Sequence, residues 1–233
     1  METNPATGKL HQTDQIRDHV FPLCVFDHQT GKVVRMLGSA FLIGERHYAL
    51  TAAHCIRGET TGLAAMFIRD REWYAYDIVA SAIHPSEDVG LVRLQGSGLT
   101  SMMRLSKSHY PQAHPYKNFG YPEDVYYEMV KDGAALIRPD LVYTEGYIRR
   151  RITDVPMPFP GRYFFELSAI SDPGSSGSPV MKINPGSKMD VFGIYVGERR
   201  REQGAAVGYA VRVDGFGDWQ PEILDRTVYE ESQ

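Results

Sequence analysis

The sequence predicts an all-β protein, and two observations carry the prediction. Short apolar or alternating runs succeed one another with polar connectors between them, and 22 glycines with 14 prolines in 233 residues supply the turns that many short strands need. The runs cover 20–26, 33–37, 40–43, 48–51, 64–68, 73–82 and 90–94, and strands fit them better than helices. Asp27 to Lys32 and Ile43 to Arg46 are polar, glycine-containing hairpin connectors. From Gln95 to Pro122 the pattern loosens, as in a crossing segment between two halves. Strand-like runs resume at 134–137, 141–148, 162–167, 180–183, 191–196 and 205–213, and the tail 219–231 suits a short closing helix. So many short strands imply a sandwich or a barrel.

Composition narrows the function. Hydrophobic residues make up 42 % and charged residues 23 %, so a chain of this length can bury a substantial core. The net charge of -4 pulls the molecule toward neither nucleic acid nor an anionic membrane, and no stretch approaches the length of a membrane span. Residues 1–20 are polar, without the apolar segment of an export signal. Cys24 and Cys55 permit at most one bridge. These features describe a soluble protein of a reducing compartment, the cytoplasm. No Cys/His cluster has metal-ligand spacing and no acidic calcium loop occurs, so neither metal nor cofactor is expected. Arg149-Arg150-Arg151 and Arg199-Arg200-Arg201 read as solvated faces.

Three local sequences carry chemistry. Leu50-Thr51-Ala52-Ala53-His54-Cys55 brings a histidine to a strand end, and imidazole, with an unperturbed pKa of about 6.5, suits proton transfer near neutrality. Most of the 8 histidines need no such explanation. In His84-Pro85-Ser86-Glu87-Asp88-Val89-Gly90-Leu91 a carboxylate stands at the mouth of a strand, where it can orient an imidazole; Glu87 is the competing acid and is expected to face solvent. Asp172-Pro173-Gly174-Ser175-Ser176-Gly177-Ser178-Pro179 is a tight turn whose glycines let the backbone approach a substrate and whose serine becomes a nucleophile if a base takes its proton.

Together, and in this order, these stretches resemble the trypsin-like (chymotrypsin-fold) serine protease family: Thr51–Cys55 the histidine motif, Asp88–Leu91 the aspartate motif, Gly174–Pro179 the serine motif. Gly38–Ile43, Gly120-Tyr121-Pro122 and Phe192–Gly197 resemble further elements, so the likeness spans about residues 20 to 215. It is nearest to the bacterial short-loop branch, which holds glutamyl endopeptidases and high-temperature-requirement proteases.

The resemblance implies two antiparallel six-stranded β-barrels: an arm over 1–19, a first barrel over 20–97 with His54 and Asp88, a crossing segment over 98–118, a second barrel over 119–217 with Ser176, and a tail over 218–233. No appended regulatory domain is expected. The resemblance further implies Ser176 as nucleophile, His54 as general base and then acid, and Asp88 as orienting carboxylate. The N–H groups of Gly174 and Ser176 become the oxyanion hole, Val196 and Gly197 the strand that pairs with substrate, and Ile170 and Tyr195 the lining of the primary specificity pocket. The partner is a polypeptide substrate.

The chain departs from the pattern in three places. Ser175 replaces the aspartate before the nucleophile, Val196 replaces a serine that supports the triad aspartate, and the usual cysteine partner of Cys55, near Gly38, is absent. With no charge at Ser175 to receive a freed N-terminal ammonium, the loop is expected to be held locally, by Pro173 and the hydroxyls of Ser175 and Ser178. Two rivals remain, a binding module that has lost turnover and a serine esterase.

Overall fold

The computed structural model describes residues 15–59, 61–69, 72–131, 134–184, 188–200 and 206–233. A single 3-10 turn, Ile16–Asp18, leads into strands β1 (Val20–Asp27), β2 (Lys32–Ile43) and β3 (Tyr48–Thr51). One helical turn, α1 (Ala53–Ile56), precedes β4 (Leu63–Arg69), β5 (Glu72–Ile83) and β6 (Gly90–Leu94). These six strands close a barrel in the order β1-β2-β3-β6-β5-β4, with β1 pairing to β4.

The second half begins with β7 (Met103–Leu105) and β8 (Pro115–Gly120), then β9 (Tyr126–Lys131) and β10 (Ala134–Pro139), which form a separate hairpin. It continues with β11 (Val142–Thr153), β12 (Tyr163–Leu167), β13 (Pro179–Lys182), β14 (Met189–Arg199) and β15 (Val207–Arg212), followed by single-turn helices α2 (Val213–Phe216) and α3 (Val228–Glu231). Strands β8-β11-β12-β15-β14-β13 form the second closed six-stranded barrel, and β7 adds in parallel to the start of β14. The all-β, two-barrel expectation therefore holds, with the closing helix shortened to one turn that Thr227 and Glu230 cap reciprocally.

The continuous apolar run at 40–43 has a simple cause: both faces of β2 are covered. Ala40 and Leu42 join Phe21, Ala49, Phe67 and Val92 in a core of the first half, while Phe41 and Ile43 face a cluster shared with Phe119, Tyr121, Phe164 and Ile194 of the second barrel. Each such large side chain, fully buried, contributes roughly 1.5–3 kcal/mol, so this shared cluster fixes the barrels on one another. A smaller core holds Tyr116, Ile148, Phe165, Phe192 and Tyr195.

Three departures from the sequence reading have physical reasons. The runs 33–37 and 40–43 are one strand, which passes through Gly38 beside an irregularity in its pairing with β1. Pro115–Gly120 is a strand, although its proline and flanking loop residues read as connector. β11 extends through the three arginines because Arg149 and Arg150 lie beside Glu166, and Arg151 bonds Asp214. Among the described residues no helix is long and apolar enough to cross a membrane. The arm expected over 1–19 falls on described residues only from 15 onward.

Candidate active site

Pairing of β3 with β6, which sets Thr51 opposite Gly90, brings the end of one strand to the start of the other. α1 leaves β3 with His54 in its first turn, and Asp88 lies two residues before the start of β6. His54 Nδ1 consequently lies 2.7 Å from Asp88 Oδ2, and the backbone N–H of His54 donates to Asp88 Oδ1 at 3.0 Å. The second bond supports the carboxylate without the serine that Val196 replaces. Asp88 is 1 % exposed, whereas the His54 side chain keeps 44 % of its surface open. Burial alone would lower the imidazolium pKa, but the Asp88 carboxylate, aided by the Cys55 side chain, outweighs it and holds His54 well above its usual 6.5.

Glu87 departs from expectation. It does not face solvent: it is 2 % exposed, and its carboxylate accepts the backbone N–H of Arg162 through both oxygens at 3.1 Å and that of Tyr163 at 3.4 Å. The N–H groups at the start of β12 need an acceptor, and the residue beside Asp88 supplies it. Desolvation outweighs these bonds, so Glu87 is held above the usual carboxylate range.

The serine loop is tied down atom by atom. Ser175 N–H donates to Asp172 O at 3.0 Å, Gly177 N–H to Tyr195 O at 2.7 Å and Ser178 N–H to Ser175 O at 3.1 Å. Carbonyls are held as well: Pro173 O by Glu123 N–H at 2.7 Å, Ser176 O by Ser39 N–H at 2.8 Å, and Gly174 O by the Ser39 hydroxyl at 3.0 Å. Among the described residues, Gly174 and Ser176 are the only positions from 174 to 178 whose N–H groups have no protein acceptor. In a trans peptide C=O and N–H point oppositely, so the bond at Pro173 O aims Gly174 N–H away from Glu123. Gly174 has φ +94, and a Cβ there would meet Glu123 N at 2.6 Å, so only glycine fits.

The expected props of this loop are partly others. Ser178 Oγ accepts from Asn118 Nδ2 at 2.7 Å, and Asn118 Oδ1 accepts from Ser171 Oγ at 3.0 Å. Ser175 is buried against Gly120, and its hydroxyl lies 3.0 Å from where a Cβ on Gly120 would stand. Ser39, Asn118 and Glu123 escaped the sequence reading; a lone Ser inside an apolar strand pattern was the available signal for the first.

Ser176 and His54 come from different barrels, and Cys55 Sγ lies 3.6 Å from Ser176 O. Cys24 and Cys55 are free and buried in different clusters. A Cβ on Gly38 would stand 2.6 Å from Cys55 Sγ, so the absent cysteine's position is the one the family pattern indicates. A cavity of about 560 Å³ opens beside His54, lined by Met36, Leu37, Cys55, Arg57, Glu123 and Tyr126 among others.

The remaining predicted residues lie before the loop and on β14. Val196 and Tyr195 are buried, Gly197 and Ile170 half-buried. Tyr195 donates its hydroxyl to Ser171 O at 2.9 Å and accepts Ser171 N–H at 3.1 Å, and burial pushes the phenol well above its usual range. It bolts the segment after Ile170 to β14 from inside the barrel.

Comparison with known proteins agrees with this architecture. The family model described as a trypsin-like peptidase domain matches residues 38–188, well over half of the chain. Among solved structures, an inactive form of a mutant of Rv3671c from M. tuberculosis H37Rv is similar in fold, at TM-score 0.60 and 16 % identity, covering 92 % of this chain and 91 % of that one. The HtrA-type protease AlgW, solved with a decapeptide, superposes at TM-score 0.59 and 17 % identity over 84 % of this chain and 61 % of that one. No curated protein is close enough in sequence to match.

Proposed function

Because the chain belongs to the trypsin-like peptidase family, we propose that it is a serine endopeptidase cleaving polypeptides through an acyl-enzyme on Ser176. The observation that carries the reading is the pair of N–H groups, on Gly174 and Ser176, that among the described residues have no protein acceptor, while those of Ser175, Gly177 and Ser178 are bonded. Two donors converging beside a serine are what a developing oxyanion requires, each worth about 3–4 kcal/mol in the transition state.

In this mechanism the Ser176 hydroxyl gives its proton to His54 as its oxygen attacks the scissile carbonyl. The tetrahedral oxyanion takes the two N–H groups, and His54 returns the proton to the leaving amine as the C–N bond breaks. Water then repeats the sequence to release the acyl product. Asp88 keeps the proton on Nδ1, so that Nε2 is free to act as base. No cofactor enters these steps.

The chain's departures set two further parts of the reading. Ile170 is uncharged and Tyr195 stands where glutamyl endopeptidases carry a histidine, so the acyl-side residue is uncharged and small to medium. Ser175 offers no charge to a new N-terminus, and burying an unpaired ammonium there would cost several kcal/mol, so the chain is active without processing. Its unbridged Cys24 and Cys55 suit a reducing, cytoplasmic compartment.

A serine-directed phosphonate applied to full-length protein beginning at Met1, followed by intact mass and a peptide-library digest, tests these statements together. The expected result is one label on Ser176 and cleavage after small uncharged residues. An inert, uncut chain that trimming of the arm switches on makes the arm an inhibitory propeptide; a chain inert in both forms is a binding module, and one that hydrolyses only esters is an esterase.

A further inference from the structure

Ser39 stands on β2 of the first barrel, with no exposed surface, and every polar group it owns is engaged. Its N–H donates to Ser176 O at 2.8 Å, and its carbonyl accepts the Thr51 hydroxyl at 2.8 Å. Its own hydroxyl accepts the N–H of Tyr121 at 2.9 Å and donates to Gly174 O at 3.0 Å. The hydroxyl thus has one acceptor contact and one donor contact, and both lie on the second barrel.

The two bonds acting on Gly174 decide which way its N–H points. The peptide unit joining Gly174 to Ser175 is held at both ends, its C=O by Ser39 Oγ and its N–H by Asp172 O. The preceding unit, Pro173 to Gly174, is held at its C=O by Glu123 N–H. Gly174 is therefore pinned between two fixed planes at φ +94, a conformation with little intrinsic preference for one orientation of its neighbours. Rotating the Pro173–Gly174 plane by half a turn would replace the Gly174 N–H in the site by the Pro173 carbonyl, and an oxyanion would meet a lone pair.

We infer that the Ser39 hydroxyl is a positioning residue: by holding Gly174 O from the opposite barrel it keeps the Gly174 N–H aimed at the oxyanion, the task a charged residue before the nucleophile performs through an ion pair elsewhere. Ser175 cannot perform it, being uncharged and packed against Gly120. The inference rests on the peptidase reading above. It adds a residue that does not touch substrate, and so acts on the transition state more than on binding.

Ser39→Ala removes the donor to Gly174 O and the acceptor of Tyr121 N–H together. The expected result is a kcat lower by roughly 10–100-fold, short of the loss for deleting an oxyanion donor outright, with KM changed less than about threefold. The affinity for a peptidyl aldehyde, which forms a tetrahedral oxyanion on Ser176, should fall in parallel with kcat, whereas that for the product peptide should hold.

Ser39→Cys preserves volume and leaves a weak donor, so it should fall between the two and serves if Ser39→Ala fails to fold. Thr51→Val is the control for stability alone: it deletes the bond to Ser39 O without touching Gly174, and aldehyde affinity relative to product affinity should not move. Unchanged aldehyde affinity in Ser39→Ala or Ser39→Cys, with wild type active, overturns the inference alone. Wild-type protein that neither cleaves peptides nor takes the phosphonate overturns the peptidase reading, and this inference with it.

Discussion

Both oxygens of the Glu87 carboxylate lie 3.1 Å from the backbone nitrogen of Arg162, so the residue next to Asp88 in the chain is fastened to the residue that leads into β12 of the other barrel. Glu87→Ala leaves two N–H groups at the start of that strand without their acceptor. At about 1–3 kcal/mol for each group so orphaned, a loss of roughly 2–6 kcal/mol is expected in denaturant unfolding. Unchanged stability would show that water replaces the carboxylate without cost.

The same residue makes stability depend on pH in a defined direction. Glu87 is raised from its ordinary 4.5, by desolvation first and against the opposing bonds from Arg162 and Tyr163, so the folded chain holds this proton more tightly than the unfolded chain. Its contribution is complete below 4.5 and is lost as pH rises through the higher folded value. Glu87→Gln cannot ionise, and the unfolding free energy of wild type relative to it should therefore decline across that window. A constant difference would count against the carboxyl being held up.

The acid limb of kcat/KM should lie above pH 6.5, since the Asp88 carboxylate with Cys55 raises His54 despite burial, and activity needs the neutral imidazole. Asp88→Asn removes that raising influence and offers an NH₂ where Nδ1 needs an acceptor, turning the imidazole to the wrong tautomer. The expected outcome is a kcat lower by about 10⁴, with the residual acid limb moved down. A limb that stays in place in Asp88→Asn would mean that another group titrates.

Gly177, at φ +91, has no space for a side chain: a Cβ would stand 2.0 Å from Ser39 O and 2.3 Å from Thr51 Oγ1, both on strands of the closed first barrel. Gly177→Ala should cost on the order of 3–5 kcal/mol and abolish phosphonate labelling of whatever remains folded. Thermal unfolding and intact mass read the two effects separately.

Cys24 should resist thiol reagents in the native chain, because burial pushes its thiol up to about 12 and leaves almost no thiolate near neutrality. Labelling by an alkylating reagent is expected only in denaturant, and activity should not respond to dithiothreitol. Rapid native alkylation of Cys24 would contradict its burial.

The strands that pack on both sides were the most legible parts of the fold. Tyr48–Thr51 and Gly90–Leu94 coincide with the runs that announce them, since a buried strand reads as near-continuously apolar, broken in the second only at the exposed Arg93. Pro115–Gly120 was opaque because its proline opens the strand and its Lys117 and Asn118 break the apolar run. At the candidate site, His54, Asp88 and the serine loop declare themselves by local motif. Ser39, Glu87, Asn118 and Glu123 do not, because each matters through a partner far along the chain: Ser39 meets Gly174 across 135 residues, Glu87 meets Arg162 across 75. Local sequence records what a residue is; such pairings are decided by how two barrels dock.

That dependence has a consequence for the newly made chain. Its amino-terminal half carries His54 and Asp88 complete, yet the loop with Ser176 owes two of its anchors, the bonds to Gly174 O and Ser176 O, to a strand synthesised more than a hundred residues earlier. Neither half alone, nor a collapsed form with the barrels unseated, supplies both of these anchors. On the peptidase reading proposed above, hydrolytic power would therefore arrive last in biogenesis, as a certificate of correct assembly, and a chain caught midway would not digest its neighbours.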